Sequence, residues 1–276
     1  MYCLQFTIVP TAAMTFRIIP GSILNIATYP FIPPTSLSGF LRRLTMMKSG
    51  VGIPETKVNK DNPSTYLLPH DYISLGAYPT LSKWIGLHRT YRKGMREFSH
   101  DDFSKLVVSG KGKDFQLHTW EYFFAENLTG YIACASADKL EQLRTIEGFG
   151  CYIGKEGYAF VESISEVIKI TEEQCAALPS TIVPADDLIT NSQWHGGCDI
   201  YNLYHYRWST KTLEQDNDSG VWDEEPTAVE GFLPFTGAYY SDSQAHRPVL
   251  NYWTDQDQIF IPDSLIQLLG NINEKN

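Results

Sequence analysis

PFIPPTSLSGFLRRL, residues 30 to 44, is the stretch from which the fold can be built outward. A proline pair is tolerated at the start of a helix but not inside one, so Pro33 and Pro34 mark a beginning. Thr35 or Ser36 stands where a side-chain oxygen can cap the orphan amides of the first turn. Leu37, Phe40, Leu41 and Leu44 then recur at helical spacing, and Gly50 is placed to end the helix. Arg42 and Arg43 are adjacent, so at least one of them projects off the buried face.

Upstream, Tyr2, Leu4, Phe6 and Ile8 alternate with Cys3, Gln5 and Thr7, which predicts a strand over residues 2 to 9. Downstream, 65–78 (TYLLPHDYISLGAY) and 115–124 (FQLHTWEYFF) read as strands, with Pro69 at a bulge or a sheet edge. TGYIACA (129–135) is a further strand, and 137–147 is an amphipathic helix capped by Ser136. Residues 149–153 and 158–168 return to strand pattern around the turn Gly154-Lys155-Glu156-Gly157. The order strand, helix, strands, helix, strand predicts an α+β fold of ferredoxin-like or RNA-recognition-motif type.

The chain has 276 residues, a length that suits two modest domains. The expected division is an α+β domain over 1–170, with an insertion at about 79–115, and a small acidic, aromatic-rich β domain over 171–276. The segment 171–190 (TEEQCAALPSTIVPADDLIT) reads as a proline-punctuated connection. After it come short strands in which Tyr204, Tyr206 and Trp208 alternate with His205 and Arg207. No window approaches the roughly 18 uninterrupted apolar residues of a membrane span, and the first residues lack a secretory pattern, so the expected compartment is the cytoplasm. Five cysteines stand singly with no Cys-x-x-Cys pair, which predicts reduced thiols and no metal.

Charge is informative once the chain is divided. Residues 1–113 hold 14 Lys and Arg against 6 Asp and Glu, a net of +8; residues 114–276 hold 8 against 26, a net of −18. The basic half concentrates its charge in 81–113, where eight cations (Lys83, Arg89, Arg92, Lys93, Arg96, Lys105, Lys111 and Lys113) face three acids. Trp84, Tyr91, Phe98 and Phe103 are interleaved with them. Cations that pair with phosphates beside rings that stack on bases are the two ingredients of single-strand binding. The acidic loop 211–230 is repelled by phosphate and should face a basic protein surface or solvent.

Other patterns carry less. Gly110-Lys111-Gly112-Lys113 lacks the run that a P-loop needs and reads as a hinge, and 148–157 (GFGCYIGKEG) has the wrong glycine spacing for a dinucleotide site, so no cofactor is expected. Neither His195, Cys198 and His205 nor His100-Asp101-Asp102 has a recognisable ligand spacing. His88, Tyr91 and Lys93 are close in sequence, which keeps a metal-independent endoribonuclease as an alternative. The aromatics Trp194, Tyr201, Trp208, Trp222, Tyr240 and Trp253 leave a carbohydrate-binding or protein-adapter module as another, although strands also favour such residues for packing.

Three pieces together resemble a known family: residues 30–44 quoted above, the strand WEYFF followed by GYIACAS, and LRTIEGFGCYIGKEGYAFV (143–161). They are similar to the CRISPR-associated RAMP superfamily subunit, Cas five, which caps the five-prime handle of crRNA in type I Cascade complexes. The resemblance spans residues 1 to about 165. It implies an RNA-recognition-like domain with an inserted β-hairpin thumb. It also implies partners: crRNA, the backbone and large subunits, and target DNA indirectly, in antiviral defence and without catalysis. By it, Ser36, Ser38, Gly39, Arg42 and Arg43 match the helix start beside the RNA handle. The basic insertion, with Trp84, His88, Arg89, Tyr91, Arg92, Lys93, Arg96, Lys111 and Lys113, matches the thumb. Ile153, Gly154 and Lys155 match the family's glycine-bearing turn. The acidic segment after residue 170 departs from any pattern of that family.

Overall fold

Strong alternation at the N-terminus becomes the centre of a sheet. In a computed structural model that describes residues 1–18, 25–50, 67–80, 83–95, 115–206, 208–209, 232–242, 244–270 and 272–273, the first half runs β1 (Tyr2–Pro10), β2 (Asn25–Ile26), α1 (Pro34–Ser49), β3 (Ile73–Pro79), β4 (Ile85–Met95), β5 (Phe115–Ala125), β6 (Leu128–Cys134), α2 (Ala137–Leu143), β7 (Gly150–Ile153), β8 (Gly157–Ile164) and β9 (Ile168–Lys169). The second half adds β10 (Thr171–Ala176), β11 (Val183–Pro184), α3 (Ala185–Thr190), β12 (Asp199–Tyr206), β13 (Trp208–Ser209), β14 (Phe232–Tyr239), β15 (Val249–Thr254), β16 (Phe260–Pro262), α4 (Asp263–Gly270) and β17 (Ile272–Asn273). The chain is mixed, rich in strand, with largely antiparallel sheets.

The main sheet has the order β3-β6-β1-β8-β7, with β9 also pairing β1. Neighbours are antiparallel throughout, with β1 against β6 and β8, β3 against β6, and β7 against β8. Helix α1 lies on one face. A Cβ built on Gly130 of β6 would stand 3.2 Å from Ile8 Cδ1 and 3.5 Å from Leu37 Cδ2, so β1, β6 and α1 meet there. The expected stripe of Leu37, Phe40, Leu41 and Leu44 is buried. The expected cap is not used. The helix starts at Pro34 with Pro33 as N-cap, because the fixed φ of proline already suits the first turn, and Thr35 and Ser36 fall inside it. At the far end Gly50 adopts φ 68° and donates to the carbonyls of Met46 and Met47.

Two strands differ from expectation. β3 begins only at Ile73; Pro69 sits in a turn closed by Tyr72 N–H to its carbonyl, and the register shift of β3 falls between Ser74 and Ala77. Residues 115–125 are not a main-sheet strand. β5 pairs with β4 over a register running from Ile85 opposite Ala125 to Met95 opposite Phe115, so part of the expected insertion is itself strand.

The sheet face opposite α1 is covered by the second half. Along β6 the side chains alternate, so Tyr131 points away from Gly130's face, and it is buried beside Ser180. Cys3 lies on the same side with no exposed surface; burial pushes its thiol up to about 12, and the nearby Asp255 carboxylate adds to the shift. The largest core cluster accordingly takes Ile182, Leu203, Tyr239, Ile259, Ile261, Leu265 and Ile266 together with β1, β6 and α1. Within it an aromatic seam gathers around Phe31, whose ring centroid lies 5.5 Å from Tyr29, 5.3 Å from Tyr78, 5.4 Å from Tyr201 and 5.1 Å from Tyr239. Tyr78 stacks on Tyr239, and the Tyr29 hydroxyl donates to the Asn202 carbonyl. Segment 171–190 holds β10, β11 and α3 rather than a plain connection, and α4 was likewise hidden among residues read as strands. No helix among the described residues is long and apolar enough to cross a membrane.

Candidate nucleic-acid interface

β4 is the outer strand of the sheet β2-β5-β4, and β5 is the strand that ties it to the body. Phe123 and Met14 exchange N–H to carbonyl bonds of 2.8 and 3.0 Å, and β5 also pairs in parallel with β2. The Thr15 hydroxyl donates to the Glu121 carbonyl at 3.0 Å, and Thr28 N–H reaches a Glu121 carboxylate oxygen at 3.3 Å. Phe123 of β5 is fully covered while Leu87 opposite it on β4 is 56% exposed.

Trp84 is 63% exposed, and His88 and Arg89 are exposed on successive positions of β4, hence on opposite faces. Arg89 is held by Glu121, its Nε donating at 3.0 Å and its terminal nitrogen also bonded to the same oxygen. Tyr91, Arg92 and Lys93 continue the strand opposite Thr119, His118 and Leu117. Arg96, Lys111 and Lys113 lie outside the described residues, as do the acidic loop 211–230 and His100-Asp101-Asp102.

The helix residues divide. Ser38 is buried and its hydroxyl accepts from Leu68 N–H at 2.9 Å, so it fixes the chain that follows the helix and does not face outward. Ser36 and Gly39 are half-buried. Arg43 is exposed; Arg42 is half-buried, with an Nε that has no hydrogen-bond partner.

The turn between β7 and β8 docks onto the same hairpin. Lys155 N–H donates to the Thr15 carbonyl at 3.1 Å, its ammonium stands 3.8 Å from the centre of the Trp120 ring, and Tyr122 donates to Glu156 at 3.1 Å. Lys155 thus makes a cation–π contact with β5. Gly154 permits the approach: it has φ 63°, and a Cβ there would lie 2.8 Å from the Thr15 carbonyl oxygen. Gly154→Ala should therefore cost about 1–3 kcal/mol in urea denaturation, from strain and displacement together. Gly148→Ala should cost less, since its φ is 81° but no atom lies within 4 Å of the added carbon. Equal losses would mean that the turn does not depend on this contact.

No protein-family model matches the chain, and no curated protein matches it. Among solved structures it is similar to a CRISPR protein from Archaeoglobus fulgidus, at a TM-score of 0.40 and 11% identity, over 95% of this chain and 99% of that one. It is also similar to a chain of the type III-B Cmr-beta complex bound to cognate target RNA, at a TM-score of 0.38 and 10% identity, over 87% of this chain and 84% of that one.

Among the described residues no group of three or more His, Cys, Asp and Glu is placed to hold a metal ion. His205 is buried against Phe235, whereas His195 packs edge-on against His246 at 4.2 Å. Of the aromatics weighed as a sugar platform, Trp208 and Tyr240 are buried, Tyr201 belongs to the seam, and Trp253 donates to Asp263 at 2.8 Å. Trp194 is exposed, and Trp222 lies outside the described residues.

Proposed function

We propose that the chain is a non-catalytic RNA-binding subunit of a CRISPR effector assembly of the type I Cascade kind. It holds the five-prime handle of the guide RNA along the β4–β5 hairpin and the exposed side of α1. It meets backbone and large subunits with its remaining surface, and target DNA only through them. The observation that carries this reading is the hairpin: an exposed ring, Trp84, directly before a long outer strand that bears exposed basic groups, His88 and Arg89. Rings that stack and cations that pair with phosphate suit a single strand, whose bases are free to be splayed.

Two features support it. The connectivity β1-α1-β3, then β6-α2-β8, with β6 inserted between β1 and β3, supports a ferredoxin-like split unit. The second half, by covering the face opposite α1, moves any RNA contact from the open sheet to its edges and to the hairpin. The test is to isolate the native assembly and sequence the nucleic acid it carries. Short RNAs of uniform length sharing one five-prime repeat-derived end, uncut on incubation with the purified chain, are the expected result. An intact assembly without RNA would overturn the reading, and cleavage of a repeat hairpin at one position would replace it with the processing enzyme.

A further inference from the structure

The edge hairpin of the main sheet places Tyr152 of β7 opposite Tyr158 of β8. Their neighbours Cys151, Ile153, Gly157 and Ala159 are buried, so alternation turns both tyrosines to the face away from α1. Tyr152 is 69% and Tyr158 38% exposed, with ring centroids 5.6 Å apart and planes at 82°. This is a pair of large, exposed rings on the last two strands of the sheet, where nothing in the core calls for them.

We infer that Tyr152 and Tyr158 form an aromatic platform for a nucleobase of the same single-stranded RNA, the base stacking on one ring and meeting the edge of the other, a contact separate from the basic hairpin and resting on the RNA-binding reading. Position favours a nucleotide as the occupant. The turn that joins the two strands carries Lys155, which is seated on Trp120 of β5, so β7 and β8 adjoin the hairpin along which the RNA is proposed to lie. On the other face of β7, the exposed Arg43 lies close enough to Cys151 for its charge to oppose the upward pull of burial on that thiol. This edge hairpin therefore has a cation on one side for phosphate and rings on the other for a base. Tyrosine presents a flat apolar face with few rotamers to freeze, and every base offers a π-face to it.

Binding of a labelled single-stranded RNA to the full chain tests this across a range of salt. The double variant Tyr152→Ala, Tyr158→Ala should bind about 5- to 100-fold more weakly, with the slope of log K against log salt unchanged, because stacking releases no counterions. Tyr→Phe at both positions should keep the affinity of the native chain. Ultraviolet crosslinking should attach the RNA to Tyr152 or Tyr158. A native chain that binds while the double alanine variant binds equally well overturns the platform and leaves the RNA reading standing. An RNA held as tightly by neither chain, because the native chain does not bind it, overturns both.

Discussion

Replacing Phe31 with alanine should cost about 3–5 kcal/mol, the range for emptying a large aromatic site in a packed core. Phe31 has no exposed surface, and four tyrosine rings from both halves of the chain close on it. Each such pair adds about 0.5–1.5 kcal/mol beyond the burial of its area, and the rings cannot all move inward at once to fill the space. For a chain of this length the unfolding midpoint should fall by about 10 °C. The change should be cooperative, since β12 and β14 reach the core through Tyr201 and Tyr239 and have less to hold them once the ring is gone. Phe31→Leu, which keeps much of the volume, should recover more than half of the loss. A midpoint that moves by only a degree or two would show that the two halves are held elsewhere.

The second large effect concerns RNA. Removing Arg89, Arg92 and Lys93 together should weaken single-strand binding on the order of 100-fold at low salt and flatten the salt dependence by about two units of slope. Each phosphate paired with a cation releases roughly 0.7 of a counterion on a single strand, so the slope counts contacts where affinity alone does not. Arg89 by itself should matter less than a third of the total, because part of its charge is already committed to Glu121. A variant that binds as the native chain does, with the same slope, would remove the hairpin from the interface.

The parts of the fold that could be read from the sequence are those written within one turn or one strand. The prolines, the four apolar residues and Gly50 all lie in the segment that becomes α1, and β1 alternates along its own length. β4 shows no such alternation: His88 and Arg89 are adjacent, as are Arg92 and Lys93, and only pairing with β5 makes a strand of them. The seam around Phe31 was illegible for a different reason. Tyr201 and Tyr239 carry no local mark that separates a residue packing within its own strands from one reaching a distant loop. Of the candidate site, the basic stretch was visible as composition, while the engagement of Ser38 with Leu68 and of Lys155 with Trp120 depends on chain far away. The tyrosine pair did leave a signal. CYI and YAF flank a tight turn, and in each a tyrosine alternates with small or aliphatic residues, but the glycines between them mark the turn more strongly than the rings.

The unequal fastening of β4 and β5 makes this a chain of uneven local stability. β5 has partners on both edges and cannot come free without breaking its bonds to Met14, Thr15 and β2. Among the described residues β4 is paired along one edge only, so it can peel from β5 while the rest of the molecule stays folded. Opening of that kind costs a fraction of global unfolding. A ligand laid along β4 would therefore slow amide exchange most in the strand that is loosest without it.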